Sequence, residues 1–177
     1  MIRLFAAVAV PPEIAEPLVR RQAGLPGARW RPAETLHITL KFFGDVREDV
    51  AEDLDLELSG IGAGPFSLEL AGAGHFGEGE RINAVWVGVV DSPALSQLAA
   101  RCETAARRAG VKPESRLYRP HVTLSYLRNP DPARVAAWEQ EHNLLKSPAF
   151  TVARFCLYSS HRTSEGSRYR LEAEYRL

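Results

Sequence analysis

Cysteine is scarce in this chain of 177 residues: Cys102 and Cys156 are its two thiols. Two cysteines so spaced form neither a disulfide framework nor a thiolate metal pattern. Cys102 falls on the apolar face of a predicted helix, as a reduced core thiol does. No apolar run approaches the roughly 20 residues of a membrane-spanning helix, so no membrane partner is expected. A surplus of one charge is also missing, since 22 basic and 22 acidic residues leave a net charge of +0. No bulk field therefore draws in a polyanion. The halves differ, with 8 basic and 13 acidic residues in 1–88 against 14 and 9 in 89–177. Nineteen of the basic residues are arginine, which suits planar contacts with carboxylate or phosphate. At 45% hydrophobic and 25% charged residues, the composition is that of a single globular domain and excludes disorder.

The opening Ile2 to Val10 run stops at Pro11-Pro12-Glu13 without a cleavage site. It reads as a first strand in a cytoplasmic protein rather than as a signal peptide. A helix follows over 12–23. Leu36 to Phe43 alternates, placing Leu36, Ile38, Leu40 and Phe42 on one face and His37, Thr39, Lys41 and Phe43 on the other. Asp45 with Glu48 forms a capping-box pattern before a helix carrying Val50, Leu54 and Leu58. Phe66, Leu68 and Leu70 form a strand, and the glycine-rich 71–79 segment reads as a loop without the lysine of a phosphate cradle. A strand over 82–90 leads to a helix opened by Ser92-Pro93 and closed by Gly110. Tyr118 to Leu127 alternates again, Asp131-Pro132 caps a last helix, and 149–158 pairs with 168–176 as a closing hairpin.

The element order repeats, and an offset of 84 residues sets His37 on His121, Thr39 on Thr123 and Phe66 on Phe150. The expected architecture is α+β: one domain over 1–177, built from two lobes related by a pseudo-twofold axis. The repeats cover about 2–71 and 82–158. Two antiparallel-rich sheets would line a central cleft with helices outside.

His37-Ile38-Thr39-Leu40 and His121-Val122-Thr123-Leu124 carry the chemical signal. Residues two apart on a strand share a face, so each motif presents an imidazole beside a hydroxyl. A lone His-x-Thr is a weak pattern, whereas two at matching places of a repeat are specific. Two imidazoles titrating near neutrality provide one acid and one base, and hydroxyls between them can donate to an oxyanion. A metal site would use the same histidines. Yet the shared face offers Thr39, Lys41, Thr123 and Ser125 rather than carboxylates or thiolates, which favours metal-free catalysis. His75, His142 and His161 lack such context and are expected at the surface. Spacing also nominates Lys41 for phosphate and Phe43 for stacking on a terminal base. Arg119 shares the parity of His121, which suggests a phosphate role. Trp30 is expected to pack between elements.

These motifs resemble the signature of the two-histidine phosphoesterase superfamily. Arg3-Leu4-Phe5, Trp30-Arg31-Pro32, Arg119-Pro120, the stretch from Phe155 to Ser160 and that from Tyr169 to Leu177 narrow the resemblance. They look like the RNA 2′,3′-cyclic phosphodiesterases of bacteria and archaea, also called 2′-5′ RNA ligases. The resemblance implies hydrolysis of a terminal 2′,3′-cyclic phosphate to a 2′-phosphate, with no cofactor and no metal. His37 would be the proton donor and His121 the proton acceptor, with Thr39 and Thr123 on the phosphate oxygens. Many relatives carry arginine five residues after the second motif histidine, where this chain has Tyr126. Arg119 or Arg128 would then supply the charge, with Ser125 and Tyr126 as further substrate contacts. The implied partner is an RNA ending in a cyclic phosphate, or a small cyclic nucleotide, bound by a monomer. Ligation through a 2′-5′ linkage and non-catalytic binding of RNA ends are the competing readings.

Overall fold

Alternating strands build the centre of the molecule, described by a computed structural model over residues 1–164 and 166–177. The elements run β1 (Ile2–Ala9), α1 (Pro12–Val19), β2 (Arg29–Trp30), β3 (His37–Val46), α2 (Glu48–Ser59), β4 (Phe66–Leu68) and β5 (Leu70–Phe76). They continue as β6 (Ala84–Val89), α3 (Pro93–Arg108), β7 (His121–Tyr126), α4 (Pro132–His142), β8 (Phe150–Val152), β9 (Arg154–Thr163) and β10 (Gly166–Arg176). Strands β10, β9, β1 and β3 form one half of an antiparallel sheet, and β7, β6 and β5 the other, with β2 alongside β7. The two expected sheets are thus joined edge to edge. The seam is narrow: β3 and β7 share the single ladder pair Ile38 with Val122.

A second, two-stranded sheet pairs β4 with β8, Ser67 opposite Thr151 at its centre. In both places a residue meets the one 84 positions further on. A twofold axis passing between the paired residues has that consequence. The helices share one core with the inner face of the sheet. Leu54, Leu58, Leu95, Leu98, Cys102, Val135 and Trp138 pack in the cluster that holds Ile38, Leu40, Val122 and Leu124. Cys102 is fully buried, and burial pushes its thiol up to about 12. Among the described residues, no helix is long and apolar enough to cross a membrane.

Several local expectations need correction. The glycine-rich segment is not a loop, for residues 70–76 form β5, paired with β6. Gly72, at φ +73°, adopts a backbone that L side chains avoid, where the pairing with β6 shifts register. Gly74 makes room for Trp86, whose ring atoms would lie 2.4 Å from a Cβ there. Nor does Asp45 cap α2. β3 continues through Val46, paired with Ile2, so Asp45 stays on the strand opposite Arg3. The helix starts after Arg47 without a side-chain cap, and Glu48 and Asp49 complement its dipole instead. The first helix ends at Val19, short of residue 23. Of the histidines expected at the surface, His142 is buried, stacked 4.5 Å from Trp138 and bonded through Nδ1 to the Trp138 carbonyl. His75 is half-buried and paired with Glu139.

Candidate active site

The seam sets the two motifs side by side. Ile38 and Val122 point into the core at 0% exposure, so His37, Thr39, His121 and Thr123 lie on the opposite face. Continuing the ladder one residue either way sets His37 opposite Thr123 and His121 opposite Thr39, with the histidines on a diagonal. Diagonal neighbours on one sheet face stand about 7–8 Å apart, a span wide enough for a phosphate.

Each imidazole is held in the same way. Nδ1–H of His37 donates to the Thr35 carbonyl at 2.7 Å, and Nδ1–H of His121 to the Arg119 carbonyl at 2.7 Å. A carbonyl can only accept, so Nδ1 keeps its hydrogen and Nε2 gains and loses the proton. Thr35 and Arg119 are themselves 84 residues apart.

Past the motifs, both strands bulge. Thr39 pairs with Ala7 and Lys41 with Ala6, leaving Leu40 as the extra residue. Thr123 pairs with Trp86 and Ser125 with Val85, leaving Leu124 extra. One extra residue reverses the parity of everything beyond it. Lys41 therefore turns to the core side, 7% exposed, with Nζ 2.7 Å from Glu103 on α3. Phe43 is in the core and Ser125 is fully buried. None of the three is in the groove, contrary to the expectation from spacing. Their places are taken by Phe42 and Tyr126, another pair related by the offset, 41% and 46% exposed. Both line a cavity of about 170 Å³ that also meets His37, Thr39, Phe5 and Tyr169.

The surroundings of the two imidazoles differ. Phe5 lies 5.0 Å from the His37 ring and Tyr169 presents an edge at 5.3 Å, while Phe76 (4.7 Å) and Trp86 (6.1 Å) flank His121. Burial lowers the pKa of His37 to about 4, against the Thr35 hydrogen bond, with Arg31 and His121 adding repulsion. Burial also lowers that of His121, against its bond to Arg119. Both rings are neutral at pH 7 in the free protein.

Arg119 and Arg128 are both exposed, and the feature of Arg119 that reaches the site is its carbonyl. Arg31 stands inside instead, its guanidinium over the rings of Tyr126 and Tyr169. The sequence reading quoted Arg31 and Phe42 without a role for either, and it did not single out Phe76 or Trp86. Trp30 packs between elements, 6.3 Å from Trp138. Among the described residues, no group of three or more His, Cys, Asp or Glu is placed to hold a metal ion.

Fold and groove together define a duplicated α+β protein with a His-x-Thr pair at the junction of its halves. The chain belongs to the 2′-5′ RNA ligase superfamily, whose family model matches residues 10–164. It is 33% identical to the RNA 2′,3′-cyclic phosphodiesterase of Escherichia coli (strain K12), over 94% of this chain and 92% of that protein. It is 28% identical to the Archaeoglobus fulgidus protein of the same name, over 96% and 97%. The crystal structure of E. coli LigT complexed with 3′-AMP matches at a TM-score of 0.80 and 30% identity, covering 99% of this chain and 98% of that one.

Proposed function

We propose that the groove hydrolyses the 2′,3′-cyclic phosphate at the 3′ end of an RNA to a 2′-phosphate. The observation that carries this reading is the twin arrangement: two imidazoles on adjoining strands, each free to titrate at Nε2, each beside a threonine hydroxyl. The names of the relatives support the same chemistry.

In this reading His121 Nε2 takes a proton from water as the water oxygen bonds to phosphorus. The P–O3′ bond breaks, and His37 Nε2 delivers its proton to O3′. Proton exchange with solvent resets both rings. Thr39 and Thr123 donate hydroxyl hydrogens to the non-bridging oxygens, where charge grows in the transition state. His37 must be protonated to act, yet burial and its cationic neighbour favour its neutral form. The phosphodiester anion supplies the missing stabilisation, since a negative charge beside an imidazole raises its pKa. Substrate thereby arms the acid. Phe42 and Tyr126 offer exposed rings on which terminal bases stack, and one chain supplies both imidazoles, so a monomer suffices.

The test is incubation of the purified protein, with excess chelator, with an oligonucleotide ending in 2′,3′-cyclic phosphate, followed by identification of the terminal monoester. A 2′-phosphate, lost in His37→Ala and in His121→Ala, is the expected product. An unchanged cyclic end would overturn the proposal, and so would activity abolished by chelator and restored by zinc.

A further inference from the structure

We propose that Arg31 is the cation that binds the substrate phosphate, a role for which the sequence had offered Arg119 and Arg128. The inference rests on the reading of the groove as a phosphoesterase site and adds a residue to it.

Position comes first. Beyond Ile38 and Val122, β3 and β7 separate, and β2 fills the gap by pairing Arg29 with Tyr126 and Trp30 with Ser125. The next amide, that of Arg31, donates to the Leu124 carbonyl at 2.8 Å, while Gln22 donates to the Arg31 carbonyl at 2.7 Å. Strand parity then separates the neighbours. Trp30 goes to the core side with Ser125, and Arg31 goes to the groove face between the two motifs.

The side chain is placed rather than spent. Its guanidinium carbon sits 5.1 Å from the Tyr169 ring centre and 5.9 Å from that of Tyr126. Tyr169 also touches His37, at 5.3 Å, so one ring separates the cation from the imidazole. Of five N–H donors, one makes a long bond to the Ser167 carbonyl at 3.4 Å. No carboxylate among the described residues pairs with it. A half-buried guanidinium fixed by aromatic faces, with most donors unused, is built for a bidentate anion. Arg3, the other groove arginine, lies over Phe42 and 3.9 Å from Asp45, which partly neutralises it. Arg31 already acts on His37, whose proton affinity it lowers, and an anion held between them would reverse that effect.

Titration with inorganic phosphate, followed on the imidazole C–H resonances, tests the assignment without turnover. Arg31→Met should weaken phosphate binding about tenfold to a hundredfold, the scale of a hydrogen bond to a charged group. It should also raise the pKa of His37 in the free protein, a readout that general loosening of the fold would not give together with sharp spectra. Arg31→Lys keeps the charge without the fork and should lie between Met and wild type; it carries the test if the methionine variant does not fold. Wild-type affinity in both variants overturns the proposal, as does a loss confined to Arg119→Ala or Arg128→Ala. A wild-type protein that binds phosphate through Arg31 but leaves cyclic-phosphate RNA intact would sink the proposed reaction and leave this anion site standing.

Discussion

The hydroxyl of Tyr118 donates to the carbonyl of Thr39 across 3.0 Å, tying the segment before the second histidine to the strand that bears the first. Burial raises the pKa of this phenol, so it remains a donor throughout the working pH range. The bond satisfies a carbonyl at the point where β3 and β7 part. Tyr118→Phe should cost about 1 kcal/mol in urea unfolding, the usual net worth of such a bond, and lower kcat with little change in KM. Unchanged stability and turnover would show that the tie is idle.

The pH dependence follows from His37. In the free protein its protonated form is lost as pH rises through about 4, so an alkaline limb in kcat/KM begins at unusually low pH. Bound phosphodiester raises that pKa, so the alkaline limb of kcat should lie at higher pH than that of kcat/KM. Coincident limbs would argue against His37 as the acid. Stability has its own sign. The unfolded chain protonates this imidazole near 6.5 and the folded one near 4, so the unfolded state binds more protons and acid destabilises the fold through that window.

Phe42 and Phe43 separate the bulged strand from a regular one. Phe43 is 6% exposed in the core and Phe42 is 41% exposed in the groove. Phe43→Ala should cost about 3–5 kcal/mol of stability, the range for a buried phenylalanine. Phe42→Ala should fold normally and raise KM for an oligonucleotide substrate. The opposite pattern would mean that the strand alternates without a bulge.

Thr39→Val and Thr123→Val keep side-chain shape and remove a donor. Each should cost about 2–4 kcal/mol of transition-state stabilisation, by analogy with the loss of one oxyanion donor. The loss should fall on kcat rather than on KM. A variant at either position with wild-type kcat would remove that threonine from the proposed mechanism.

Lys41→Met breaks the buried pair with Glu103 while preserving the aliphatic stem. It should lower the unfolding midpoint and leave KM for RNA unchanged, because the ammonium faces α3 and not the groove. A raised, salt-sensitive KM would return Lys41 to the phosphate site.

The histidines and threonines were legible because the information is local. Ile38, Leu40, Val122 and Leu124 alternate with them, and the same pattern returns 84 residues later. What lies beyond them was not legible, for Lys41-Phe42-Phe43 offers an aromatic residue in either phase. Only the pairing of β1 with β3 shows that Leu40 is the extra residue. Arg31 was hidden for a related reason. Its direction depends on β2 pairing with β7, whose residues lie far along the chain. Glycines 72 and 74 suggested freedom because their purpose is defined by a ring on another strand, that of Trp86.

The self-matching pairs, Ile38 with Val122 and Ser67 with Thr151, have a consequence for how such a site comes to exist. They are the contacts of an isologous dimer, in which a surface meets its own copy, here with both protomers fused in one polypeptide. A half-length chain would carry one imidazole and one hydroxyl, and only association with a second copy would complete the pair. Such a dimer would hold two equivalent histidines, with nothing to decide which donates and which accepts. Fusion removes that degeneracy, since Arg31 and Tyr169 can be placed beside one ring and Phe76 and Trp86 beside the other. The division of labour between identical motifs is then written in residues outside them.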